Sequence, residues 1–155
     1  SAARRKEKTM VKYRSLLDRY VERYNAKDLD AVMDLYADDA VQYMPDGTFE
    51  GRGTIRDRLA KELDAFSDIA HRVVSYTEQD DAFADEWVFV GTHTGPVTLP
   101  DGTEVPPTGK RIEIPGMEIV KMRDGKIVAN NLYYDNLAVL LQFGLLQQQV
   151  AATAS

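Results

Sequence analysis

The apolar residues of this 155-residue chain change period near residue 70, and that change restricts the fold more than any other feature. Before it they recur at three- and four-residue steps, the spacing of helices with one buried stripe. Met10, Tyr13, Leu17, Tyr20, Val21 and Tyr24 share one face of a first helix, with Lys12, Arg14, Asp18, Arg19, Glu22 and Arg23 opposite. Asn25-Ala26-Lys27-Asp28 interrupts it, and Asp28 is placed to cap a second helix that carries Leu29, Val32, Met33 and Tyr36 on one side. A short strand is expected at 40–44, closed by the turn signal Pro45-Asp46-Gly47. A third helix, opened by Thr54 with Asp57 three residues on, turns Ile55, Leu59, Leu63 and Phe66 inward.

Beyond the change, alternation predicts strands at 71–77, 84–94, 111–123 and 126–134. Gln79-Asp80-Asp81 and Asp124-Gly125 are hairpin turns, and Pro106-Pro107-Thr108-Gly109 belongs to a long irregular connection. Pro115-Gly116 predicts a bulge or kink in its strand. Helices segregated from a meandering sheet specify an α+β fold with the helices on one face, and a sheet curled around them leaves a conical cavity. Without repeats, low-complexity tracts or an internal linker, the chain is expected to be a single domain over 1–155, with an ordered core at about 10–146 and loose ends.

The formal charge of −6, from 19 basic and 25 acidic side chains, argues against a general nucleic-acid binder. The absence of cysteine removes disulfides, thiolate metal sites and a cysteine nucleophile. Two scattered histidines offer no metal-ligand spacing, so no metal is expected. No stretch reaches the roughly 18–20 apolar residues of a membrane span, and no hydrophobic signal core follows the basic residues 1–8. The expected setting is cytoplasmic.

The chemistry concentrates where the last strand meets the last helix, at Asn131-Leu132-Tyr133-Tyr134-Asp135 followed by Asn136-Leu137-Ala138-Val139-Leu140-Leu141-Gln142-Phe143-Gly144. Asp135 is the only carboxylate between Asp124 and the C-terminus. It has two readings: an N-cap, for which aspartate is among the best residues, or a general base. Asn136 could cap equally well. In a regular strand Ala129, Asn131, Tyr133 and Asp135 share a face, and burial there would raise a carboxyl pKa toward neutrality. On the strand at 84–94, Trp87, Phe89, Gly91 and His93 share a face that suits a flat ring. His93 is either packed and hydrogen-bonded or a proton relay and donor to an enolate oxygen. Tyr20, Tyr24, Tyr36 and Tyr43 read as core, with one hydroxyl free to enter a pocket, and His71 as an ordinary strand start.

Three stretches together resemble a known family. Residues 28–41, Asp-Leu-Asp-Ala-Val-Met-Asp-Leu-Tyr-Ala-Asp-Asp-Ala-Val, look like the opening of the NTF2-like superfamily. Gly91-Thr92-His93-Thr94-Gly95, Pro107-Thr108-Gly109-Lys110-Arg111 and Pro115-Gly116 resemble its SnoaL-like polyketide cyclase branch. Tyr133-Tyr134-Asp135 and Leu140-Leu141-Gln142-Phe143-Gly144-Leu145 resemble that branch's C-terminal signature, with Tyr134 where the branch commonly has tryptophan. The resemblance covers about residues 11–146. It implies a cone-shaped NTF2-like barrel with one deep pocket, often a homodimer through the outer sheet face. It also implies a cofactor-independent enzyme that closes a hydrophobic, carbonyl-bearing substrate by intramolecular aldol chemistry. Mapped onto this chain, the family acid falls on Asp135 and the histidine on His93. The expected substrate wall comprises Trp87, Phe89, Tyr24, Tyr36, Asn131 and Tyr133. The rivals are an enzyme resembling ketosteroid isomerases, with Tyr24 and Asp39 in the roles of tyrosine and base, an epoxide-hydrolase-like enzyme, and a non-catalytic small-molecule-binding protein.

Overall fold

The computed structural model describes residues 11–146, so Met10 and the expected loose ends lie outside the described residues. The elements run α1 (Arg14–Asn25), α2 (Leu29–Met33), β1 (Tyr36–Met44), β2 (Gly47–Glu50), α3 (Arg52–Ala65), β3 (Ala70–Gln79) and β4 (Ala82–Thr92). After these come β5 (Val97–Thr98), β6 (Glu104–Val105), β7 (Arg111–Arg123), β8 (Lys126–Tyr134) and α4 (Asn136–Phe143). Six strands form one sheet in the order β2-β1-β8-β7-β4-β3, with β5 and β6 a separate small hairpin. Every neighbour pair of the large sheet is antiparallel except β1 and β8, which run parallel. Helix α1 packs on β3, α3 on β1 and β2, and α4 on β7. This is the α+β arrangement expected, with the helices gathered on the sheet's inner face.

Local chemistry accounts for most boundaries. Asp28 caps α2, its side chain accepting from the Ala31 amide at 3.1 Å. Asp124 and Gly125 both take positive φ, 51° and 74°, which is what a two-residue hairpin turn between β7 and β8 requires. Gly144 ends α4 in the left-handed conformation, where a side chain would be strained.

Four expectations are corrected. Tyr36 does not extend α2: that helix is five residues long and Tyr36 begins β1, buried against Tyr20. β1 therefore starts well before residue 40 and forms an unforeseen hairpin with β2. Helix α3 begins at Arg52 after Gly51, not at a Thr54 cap. Finally, β4 and β7 stay in continuous register through Pro115 and Gly116, so there is no bulge against β4 there. Proline is tolerated because β8 pairing stops at Gly116, leaving β7 with a free edge beyond it. On that edge the Gln142 side chain stands in for a strand, receiving the Glu113 amide at 2.8 Å and donating to its carbonyl at 3.0 Å.

Candidate functional site

The inner face of β7 carries Ile112, Ile114, Gly116, Glu118, Val120 and Met122, and that of β4 carries Phe83, Asp85, Trp87 and Phe89. Each strand is thus apolar at its buried parity except for one carboxylate, and the ladder sets Asp85 directly opposite Glu118. Between this face and the helices lies a cavity of about 510 Å³. Trp87, Phe89, Phe66, Ile114, Leu132 and Phe143 make its apolar walls. Tyr20 and Tyr24 of α1, Arg58 and Glu62 of α3, Gln42, His71, Glu118 and Tyr134 bring polar groups to it. Residues 97–101 and the Asn136, Val139 and Leu140 side chains of α4 also contribute to the lining.

Tyr24, Glu62, Arg58, Gln42 and Glu118 are joined through Asn130 into one connected chain. Tyr24 Oη donates to Glu62 Oε1, and Arg58 Nη1 donates to Glu62 Oε2 at 2.7 Å. Arg58 Nε donates to Gln42 Oε1 at 2.5 Å, Gln42 Nε2 to Asn130 Oδ1 at 2.8 Å, and Asn130 Nδ2 to Glu118 Oε2. Gln42, Asn130 and Glu118 are all at least 95% buried, so satisfying these groups is a condition for folding. Burial opposes the charge on Glu62, yet Arg58 and the Tyr24 hydroxyl outweigh it and hold that carboxyl below its ordinary value. Burial also keeps the Tyr20 and Tyr24 hydroxyls protonated, with pKa values well above that of free tyrosine.

Asp85 is the opposite case. No donor faces either of its oxygens among the described residues. Burial first, and then the charge of Glu118, push its pKa far above the ordinary carboxylate range. Like charges facing each other on one rung oppose each other in a low dielectric, so burial and Glu118 together favour the neutral form of Asp85. Glu118 is the partner that reaches the cavity. His71 lines the same space, edge-on to Trp87 with centroids 5.4 Å apart and to Tyr24 at 5.7 Å. Burial lowers its pKa against the pull of Glu118 and Glu62, so it is neutral near pH 7.

The residues singled out from sequence fall in different places. Trp87, Phe89 and Tyr24 line the cavity together. Tyr36 does not line it; it is packed in the core behind Tyr20, its hydroxyl 3.5 Å from the Tyr20 hydroxyl. Asn131 and Tyr133 are also off the cavity, because Asn130, Leu132 and Tyr134 occupy β8's inner parity. Tyr133 is 52% exposed on the outer face. Asp135 is exposed at the start of α4, where its Oδ1 accepts the Ala138 amide at 3.1 Å. It acts there as the N-cap. Asp39 is turned outward and paired with Arg123 at 2.6 Å, so it does not take an isomerase-like position beside Tyr24.

His93 is fully buried behind Phe143, whose ring lies 4.8 Å from it and itself lines the cavity. The Thr108 amide donates to Nδ1 at 3.2 Å, which places the ring proton on Nε2. The His93 backbone pairs with Lys110 and Gly109. His93 therefore latches the base of the β5–β6 hairpin and stands outside the cavity wall. Of the residues that sequence reading passed over, Glu118, Asp85, Arg58, Glu62, Gln42 and Asn130, only Glu118 and Asp85 carried a signal, a carboxylate interrupting the apolar parity of a strand.

Among the described residues no helix is long and apolar enough to cross a membrane, and no three His, Asp or Glu side chains are grouped to hold a metal ion. The SnoaL-like domain profile matches residues 17–130. The fold is similar to that of AclR from Streptomyces galilaeus, a proposed hydroxylase (25% identity, TM-score 0.72, 84% of this chain and 93% of that one). It is similar to a proposed polyketide cyclase from Xanthomonas campestris pv. campestris (25%, 0.71, 83% and 94%). It also resembles IdmH from Streptomyces antibioticus, a proposed polyketide cyclase (27%, 0.69, 84% and 96%). A search of curated proteins found no match. With a family profile covering most of the chain and the same fold in these neighbours, the protein belongs to the SnoaL-like domain family.

Proposed function

We propose that this protein is a cofactor-independent acid–base enzyme whose cavity takes a hydrophobic, carbonyl-bearing molecule of ring-containing or polyketide-like type. The observation that carries the reading is the buried Asp85–Glu118 pair on the sheet side of a cavity with aromatic and aliphatic walls. Glu118, held by Asn130 beside the neutral Asp85, takes a proton from a carbon flanked by carbonyls. The resulting enolate attacks a second carbonyl of the same molecule, forming one carbon–carbon bond. The alkoxide so produced takes the proton back from Glu118, so the reaction balances with no other reactant. Return of the proton to a different carbon gives isomerisation instead. Phenols such as Tyr134, kept protonated by burial, are available to the developing oxyanion. The two proposed cyclases among the structural neighbours are consistent with this chemistry.

Asp135 is not given the base role, because its carboxylate is committed to the α4 cap and does not reach the cavity. Assembly as a homodimer through the outer sheet face is part of the proposal, supported by the exposed Tyr43, Met117, Ile119 and Tyr133 on that side.

The test is deuterium uptake at the α-carbon of 2-tetralone, followed by NMR in deuterated buffer. Wild-type protein should accelerate the exchange, and Glu118→Gln should return it to the buffer rate while the far-UV circular dichroism stays unchanged. Exchange that the folded Glu118→Gln protein still accelerates would remove Glu118 from the mechanism.

A further inference from the structure

The guanidinium of Arg58 is only partly used by the protein. Its Nε donates to Gln42 at 2.5 Å and its Nη1 to Glu62 at 2.7 Å. Nη2 has no hydrogen-bond partner among the described residues and, unlike Arg56 Nη1, is not sealed from solvent. The Arg58 side chain keeps 12% of its surface accessible and Glu62 keeps 25%, and both line the cavity. The two are ion-paired one turn apart on α3. Glu62 receives Tyr24 on Oε1 and Arg58 on Oε2, which leaves each carboxylate oxygen room for a second donor. The wall thus holds an unfilled donor beside an unfilled acceptor. Its charge is one-sided, because Asp46, Glu62, Asp101 and Glu118 line the cavity with a single guanidinium among them.

We propose that Arg58 and Glu62 form a donor–acceptor subsite that takes an uncharged edge of the ligand, a carbonyl next to an O–H or N–H, and excludes a carboxylate. The inference rests on the functional reading above and names the part of the ligand that docks on α3. The enol form of a 1,3-dicarbonyl has such an edge: its carbonyl oxygen accepts from Arg58 Nη2, and its hydroxyl donates to Glu62. Both hydrogen bonds involve a charged partner, which makes them stronger than neutral ones. A carboxylate ligand can also accept from Arg58, but it has no proton to offer Glu62 and enters a cavity already lined by carboxyl groups. Glu62 balances the guanidinium, so the pair selects against the anion that a lone arginine would attract.

The probes are 2-naphthamide, 2-naphthoate and naphthalene, which share one ring skeleton, with binding measured by equilibrium dialysis. The amide offers a carbonyl and an N–H donor on one edge and has no acidic carbon to react. Wild-type protein should bind it about tenfold more tightly than either naphthalene or the naphthoate. Glu62→Gln leaves the charge of Arg58 unbalanced and should reverse the order, with the naphthoate ahead of the amide. Arg58→Lys keeps a positive charge without the forked donor and should bring the amide within about twofold of naphthalene. Naphthalene bound as in the wild type is the control for an intact cavity in each variant. A wild type that binds the naphthoate as tightly as the amide overturns the subsite. So does an unchanged order of the three probes in either intact variant. The Glu118→Gln protein separates the two readings: it should keep the preference for the amide over naphthalene while losing proton exchange. A wild type that prefers the amide but accelerates no exchange would retain the subsite and refute the enzyme.

Discussion

Asp85 of β4 and Glu118 of β7 face each other across one rung of the sheet, both nearly inaccessible to water, and burial with that proximity favours the neutral form of Asp85. Most of what distinguishes this cavity from an ordinary protein core follows from that pair.

The pair makes stability depend on pH in an unusual direction. The folded pKa of Asp85 is raised above its unfolded value of 3.8, so above about pH 4 the unfolded chain releases a proton that the folded chain keeps. The contribution is fully present below that value and is lost as pH rises, by up to about 1.4 kcal/mol per pH unit until the folded carboxyl itself ionises. Asp85→Asn should abolish this dependence and exceed the wild type in stability at pH 8. Urea unfolding of both proteins at pH 5, 6.5 and 8 measures it, and parallel stability curves would show that Asp85 is not the protonated partner.

Glu62 works in the reverse sense. Its folded pKa is held below the ordinary 4.5, so its stabilising effect is present above that value and disappears as pH falls. Replacing its partner, Arg58→Met, strands a buried carboxylate beside Tyr24 and should cost about 3–5 kcal/mol at pH 7. The deficit should shrink near pH 4, where Glu62 takes up a proton. A deficit equal at both pH values would point to lost packing alone.

Asp135→Ala should cost about 1 kcal/mol, the typical loss of a helix cap, and leave tetralone exchange within about twofold of wild type. Thermal unfolding together with the exchange assay separates this from the catalytic alternative, which demands loss of exchange in a protein of nearly full stability.

Gly116→Ala places a methyl group into the Trp87 ring. Overpacking of this kind should destabilise by about 1–3 kcal/mol and move the indole. Because Trp87 is the sole tryptophan, its emission maximum reports that displacement directly. An unshifted emission spectrum in a fully stable variant would mean that the indole does not lie over Gly116.

The periods of the chain made the architecture legible. The switch from helical to alternating spacing near residue 70, the Asp28 cap, the Asp124-Gly125 turn and the Gly144 stop are local statements, and each holds where local chemistry said it would. β1 was harder to see: Tyr36-Ala37-Asp38-Asp39 has neither alternation nor strand-forming composition, and it is tied to β8 only through Tyr36 before the register shifts ahead of Val41. The site was legible in part. Trp87, Phe89 and Tyr24 follow from the parity of one strand and one helix, and all three reach the cavity.

What the sequence by itself determined was the class of fold, the family, and which strand carries the aromatic wall. The tertiary structure decided which polar residues share the cavity. Asp135 was conspicuous as a lone acid at a junction, yet a junction places a side chain at the start of a helix, where the free amides claim it. Glu118 was inconspicuous between Met117 and Ile119, and it becomes the buried acid only because β4 brings Asp85 to the same rung. Burial and proximity between residues 33 positions apart set those protonation states, and neither quantity exists until the sheet has formed.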